Sequence, residues 1–197
     1  QNVRIDVTEL MAFRKKINND LGVKYSLNDY VLKATAKALK NNKHILVSLD
    51  GDQIIKRAHV NIGMAVALED GLIVPVIKDA DKMSLGEISE TARDLAERAR
   101  TNKLSMDEYK GSTFSISNLG MFGVETFNPI INQPDAGILG VCAVQDELVM
   151  DDAGAITKRQ FMRISFTFDH RLIDGATAAK FELAIRDLME HPMQILL

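Results

Sequence analysis

Cysteine is nearly missing from this chain: Cys142 stands alone in 197 residues. A single thiol excludes an internal disulfide framework and fits a reducing compartment. It lies inside the apolar run from Ala136 to Val144, so it reads as a small core residue and not as a nucleophile. Long apolar stretches are also missing; none is long enough to suggest a bilayer span. No leader peptide is expected from the first residues. Gln1-Asn2-Val3-Arg4-Ile5-Asp6 already reads as a strand, which implies a start inside a domain. Charge of one sign is not in excess either. The formal net charge is −3, and no basic block is interleaved with aromatics, so neither nucleic acid nor a membrane is implied as a partner. No repeat, low-complexity tract or linker interrupts the sequence, so one domain over residues 1–197 is expected. What is present is an ordinary globular composition, 46% hydrophobic and 26% charged.

Val3, Ile5 and Val7 alternate with polar residues and predict a half-buried strand. Thr8 and Glu9 are expected to cap a helix to about residue 20, with Leu10, Phe13 and Ile17 inward and Gly22 as its stop. A second helix is expected from Ser26 to about residue 41. Residues 45–49 and 53–55 around Asp50-Gly51 predict a hairpin. The apolar runs 59–67 and 72–77 predict two longer strands covered on both faces, with Pro75 at an edge or bulge. Ser84 and Glu87 have capping-box spacing and predict a helix to about residue 101. A short helix at 105–109, strands at 113–117, 136–144 and 163–168, a turn at 151–154, and a last helix over 176–190 complete the pattern. Strands and helices mix without strict alternation, which favours an α/β layer on a mixed sheet.

The run from Phe168 to Gly175 (Phe-Asp-His-Arg-Leu-Ile-Asp-Gly) carries the strongest chemical signal. It delivers His170 from the end of a β-branched stretch into a charged turn. Histidine titrates near physiological pH and can take and return a proton. Asp174 suits the N-cap of the last helix, and a carboxylate near an imidazole can also fix its tautomer; spacing does not separate the two roles. The other histidines lie in separate segments, so no metal is expected. Ser115 and Ser117 would share one strand face, followed by Asn118 and two glycines in a turn able to present backbone N–H groups. The glycine spacing is not that of a dinucleotide site. Residues 127–134, with two prolines and two asparagines, predict a rigid loop that is either a structural turn or a subunit contact.

Taken together these segments resemble the catalytic domain of dihydrolipoamide acyltransferases, the core component of 2-oxo acid dehydrogenase complexes. The residues concerned are Asp6 to Leu10, Asn61 to Val66, Gly71 to Val76, Ser117 to Gly120, Pro129 to Asn132, Ala136 to Gly140 and Asp169 to Gly175, in order across the chain. Chloramphenicol acetyltransferases carry a looser counterpart of the last motif. The resemblance implies a chloramphenicol-acetyltransferase-like two-layer fold, a mixed β-sheet flanked by helices, that forms trimers. It implies an N-terminally truncated acyltransferase domain, without lipoyl and peripheral-subunit-binding domains, so Asp174 would miss a basic partner from the preceding segment.

The resemblance also makes His170 the general base, Asp174 its neighbour at the site and Ser117 the hydroxyl that stabilises the oxyanion, with His170 and Ser117 meeting across a subunit interface. The implied reaction moves an acyl group between the thiols of dihydrolipoamide and coenzyme A; residues 117–123 and 176–179 resemble the acetyltransferases of pyruvate or acetoin complexes more than succinyltransferases, which implies acetyl. Coenzyme A or acetyl-CoA is then a substrate, and the lipoyl group arrives on a domain outside this chain. Implied partners are two further copies or multiples of trimers, the lipoyl domain, and the decarboxylating and dihydrolipoamide dehydrogenase components. The implied compartment is bacterial cytoplasm or mitochondrial matrix. Two other readings stand beside it: a non-catalytic core subunit, which would not need His170, and a stand-alone acetyltransferase of a small-molecule alcohol.

Overall fold

The alternation at the start of the chain forms β1 (Asn2–Asp6) in the computed structural model, which describes residues 1–151 and 153–197. Then follow α1 (Thr8–Leu21), α2 (Leu27–Asn41), β2 (Val47–Asp50), β3 (Gln53–Lys56), β4 (Ile62–Met64), β5 (Val66–Leu68), β6 (Gly71–Ile73) and β7 (Val76–Ile77). The second half runs α3 (Leu85–Arg100), β8 (Phe114–Asn118), β9 (Gly137–Val141), β10 (Gln145–Met150), β11 (Ile156–Phe168), α4 (Gly175–Glu190) and α5 (Met193–Leu196). The main sheet has the order β1-β11-β9-β8-β4-β7. β4, β8 and β9 are parallel and the other pairings antiparallel, so the sheet is mixed as expected. No helix among the described residues is long and apolar enough to cross a membrane.

Register gives the sheet two unlike faces. Ile116, Leu139 and Phe166 are cross-strand neighbours and face the helices. There Phe114 and Phe166 pack on Phe181 of α4, with ring centroids 5.4 and 5.3 Å away. Gly137 on this face leaves room for the rings, since a Cβ there would lie 2.5 Å from Phe166 Cε2. Ser115, Ser117, Gly140, Ser165 and Thr167 point the other way. This small, polar face is covered by the β8–β9 loop: a Cβ on Gly140 would sit 3.0 Å from both Phe127 and Pro129.

The capping box expected from spacing at Ser84 and Glu87 formed, and a second one formed at the expected start of α2. Ser26 and Asp29 cap the start of α2, and Ser84 and Glu87 the start of α3. Asp29 also accepts from Ser89 at 2.8 Å, tying α2 to α3. The start of α1 differs from expectation. Asp6 Oδ1, not Thr8 or Glu9, accepts from the Thr8 amide and hydroxyl at 3.0 and 2.6 Å. The long strand expected over 59–67 is broken. Pro75 has no N–H for the ladder; its carbonyl accepts from Met64 at 2.8 Å, and beyond it the chain leaves the sheet as the β5–β6 ribbon. β11 begins at Ile156, not at 163, because its first half pairs with β10, a strand that the sequence reading omitted. The turn expected over 151–154 includes residue 152, which lies outside the described residues; Gly154 N–H donates to Asp151 O beside it.

Candidate active site

His170 sits in the turn between β11 and α4, and the turn is held from within. Asp169 N–H donates to Ala136 O at 2.8 Å, which fixes the exit from the sheet. The Leu172 and Ile173 amides return to Asp169 O, and buried Ile173 anchors the far end. The Asp169 carboxylate takes the Arg171 guanidinium at 2.6–3.1 Å, and this pairing holds the carboxyl below the usual range. His170 itself is exposed, with its ring 5.6 Å from that of Phe168. A turn held by these bonds thus presents the His170 imidazole outward.

Asp174 does not bond to His170 in this chain. It is the N-cap of α4, accepting from the Thr177 amide at 2.9 Å and the Thr177 hydroxyl at 2.8 Å. Those bonds hold its carboxyl below the ordinary value. The capping role open at the level of spacing is the one the coordinates display.

Ser117 lies on the polar sheet face, half-buried near the end of β8. It pairs with Gly140, and Gly140 with Ser165. His170 leaves β11 after Phe168, at the opposite end. Standard sheet spacings put the two residues about 10 Å apart across the strands and at least about 10 Å along them. One chain therefore does not bring His170 and Ser117 together. Asn118 is absorbed by the fold: its side chain accepts from Gly120 N–H and donates to Asn28, each at 2.9 Å.

The sequence reading missed the polar cluster beneath Ser117. Asp135 is 4% exposed and accepts from Ser112 and, at 2.6 Å, from Ser115. Burial pushes its carboxyl up, against the pull of the two serines. Asn132 completes the group by donating to Ser115 at 3.2 Å. The apolar-looking loop 127–134 hid these partners, and only the buried Asp in an otherwise apolar entry to β9 could have signalled them. Asp135 also lines a cavity of about 260 Å³ with Gly51, Ile131, Asp169, Arg171 and Leu172, beside the His170 turn. A second cleft of about 470 Å³, between α2 and the C-terminal residues, is lined by Lys33, Lys37 and Lys40. Two of these lysines donate to backbone carbonyls of Met83 and Gln194.

The family described as 2-oxoacid dehydrogenases acyltransferase (catalytic domain) matches residues 1–197. The chain is 41% identical over 197 residues to the dihydrolipoyllysine-residue succinyltransferase component of the 2-oxoglutarate dehydrogenase complex of Rickettsia bellii, covering 98% of this chain and 49% of that one. It is 42% identical over 198 residues to the acetyltransferase component of the pyruvate dehydrogenase complex of Zymomonas mobilis, covering 98% and 44%. It thus spans about half the length of these curated relatives. Among solved structures it superposes with a TM-score of 0.92 and 39% identity on the dihydrolipoamide acetyltransferase of Azotobacter vinelandii, over 100% of this chain and 83% of that one; that work concerns a serine, a histidine and an asparagine in the catalytic mechanism. Chloramphenicol acetyltransferase shares the fold alone, at TM-score 0.61 and 13% identity over 95% and 86% of the two chains.

Proposed function

Since the chain belongs to the 2-oxoacid dehydrogenase acyltransferase catalytic-domain family, we propose that it transfers an acetyl group between the thiols of coenzyme A and dihydrolipoamide. His170 is the general base in this reading and Ser117 the oxyanion donor, each supplied by a different copy of the chain. The placement of the two residues at opposite ends of a polar sheet face carries the intersubunit part. The Azotobacter vinelandii enzyme supports the residue roles: its histidine and asparagine are four positions apart, as are His170 and Asp174. Asp174 then keeps the His170 turn docked on α4 and does not itself move a proton.

The chemistry follows from the groups. A free alkyl thiol is mostly protonated at neutral pH. Neutral His170 removes its proton as the sulfur attacks the thioester carbonyl, and returns the proton to the departing sulfur. Forward and reverse directions use the same base because both partners are thiols. Negative charge gathers on the carbonyl oxygen, where the Ser117 hydroxyl donates. The acyl group passes directly between sulfurs in a ternary complex, with no acylated residue.

The acetyl assignment draws on residues 117–123 and 176–179; a succinyl relative at 41% identity makes succinyl the second reading. The trimer, the lipoyl domain and the other enzymes of a 2-oxo acid dehydrogenase complex are the partners this function requires. The test is acetyl transfer from acetyl-CoA to free dihydrolipoamide. His170→Ala should lower the rate about 10²–10⁴-fold, the usual weight of a positioned base. Ser117→Ala should cost about 10²–10³-fold. Equal rates for wild type and His170→Ala would overturn the mechanism, and transfer from succinyl-CoA alone would replace the acyl group.

A further inference from the structure

We propose that Asp135 is a positioning residue for this reaction, holding in one register the strand that carries Ser117 and the turn that carries His170. The inference rests on the acyl-transfer reading. The carboxyl of Asp135 is buried at the mouth of β9. Its Oδ2 accepts from Ser112 and Ser115, and Ser115 lies two residues before Ser117 on the same face of β8. Asn132 Nδ2 donates to Ser115 Oγ, while Asp135 N–H donates to Asn132 O at 3.1 Å, so the loop and the strand close into a ring through one carboxyl. The next residue, Ala136, accepts from Asp169 N–H, one residue before His170. One residue therefore lies between the two reacting residues of the chain: its side chain accepts from Ser115, two positions before Ser117, and the carbonyl of the residue after it accepts from Asp169, one position before His170.

The space around the cluster is built for it. Gly63 faces Ser115 across β4, and a Cβ there would lie 2.9 Å from Ser115 Oγ and 3.2 Å from Ser112 Oγ. Packing alone does not favour this arrangement. Asp135 Oδ1 has no hydrogen-bond partner among the described residues, and an apolar side chain of similar size would avoid the cost of burying a carboxyl. A local rule broken in a well-packed sheet, between two reacting groups, is the pattern expected of a site requirement.

The experiment uses the full-length enzyme in its native assembly, with Asp135→Ala and Asp135→Asn. For each, kcat and KM for acetyl-CoA and dihydrolipoamide are measured beside Tm and assembly size. Displacing reacting groups by about 1 Å costs on the order of 10²-fold, so Asp135→Ala should lower kcat at least about 10-fold and leave both KM values within about 2-fold. Asp135→Asn keeps an acceptor for the serines and should restore most of kcat. In a His170→Ala background the Asp135→Ala loss should shrink toward nothing, because residues that act as a unit are not additive.

Unchanged kcat per folded enzyme, or an equal loss with and without His170, would overturn the proposal. If Asp135→Ala fails to assemble, Ser115→Ala reads the same link: a fall in kcat at steady KM supports it, and an unchanged kcat overturns it. A wild type that transfers no acyl group, or that His170→Ala does not impair, defeats the acyl-transfer reading and this inference with it. An intact His170 effect beside a silent Asp135 defeats the positioning role alone.

Discussion

Glu182 is the residue with the least support around it. It lies on α4 with no exposed surface, and neither carboxyl oxygen has a partner among the described residues. Burial pushes its pKa up to about 7 from 4.5, with the Gln1 ammonium pulling slightly the other way. A folded state that binds this proton more tightly than the unfolded state gains stability below the unfolded value. That gain disappears as pH rises through about 7. The span corresponds to about 3 kcal/mol at most. Glu182→Gln should therefore match wild type in Tm near pH 5 and exceed it near pH 8. A difference that does not change with pH would mean that the carboxyl titrates alike in the folded and unfolded chain and is not desolvated by burial. Asp174 offers a second check: Asp174→Ala removes the α4 cap and should lower Tm by about 2–4 °C, whereas Asp174→Asn, itself a good cap, should hold it.

At the scale of elements, the turn after β8 depends on Gly120. A Cβ there would lie 2.7 Å from the carbonyl oxygen of Cys142, a backbone atom that cannot swing aside. Gly120→Ala should destabilise the chain by about 1–3 kcal/mol, measured by denaturant midpoint, and an unaffected midpoint would show that the turn rebuilds freely. The same segment shows what could be read from sequence. Helices α2 and α3 were legible because a polar start, Ser26 in one and the capping-box pair Ser84 and Glu87 in the other, precedes apolar periodicity over fifteen and sixteen residues. The break between β4 and β5 was not, because residues 62–68 are uniformly apolar and only the pairing of Pro75 decides where the chain leaves the sheet. β10 was hidden for a related reason: Leu148, Met150 and Ile156 lie exposed on a projecting hairpin, so its pattern lacks a buried face. At the site, His170 and the Asp174 cap were visible as local motifs. The Asp135 cluster joins residues up to 23 apart through side chains, and no local period marks it.

At the scale of the whole molecule, the separation of His170 from Ser117 sets the test of assembly. Mixing His170→Ala with Ser117→Ala chains under subunit exchange should restore activity. In a random equal mixture, about a quarter of interfaces pair the intact serine of one chain with the intact histidine of the other. Either variant alone should stay at its own reduced rate, and a mixture that never rises above both would place the two residues of a site in the same chain. The arrangement has a consequence for inheritance. With sites shared between copies as proposed, damage is divisible: a copy lacking His170 would silence one boundary between copies, and a copy lacking both residues would silence two. Two different faulty alleles expressed together would partly rescue each other, while a doubly faulty allele would act as a poison in proportion to its dose.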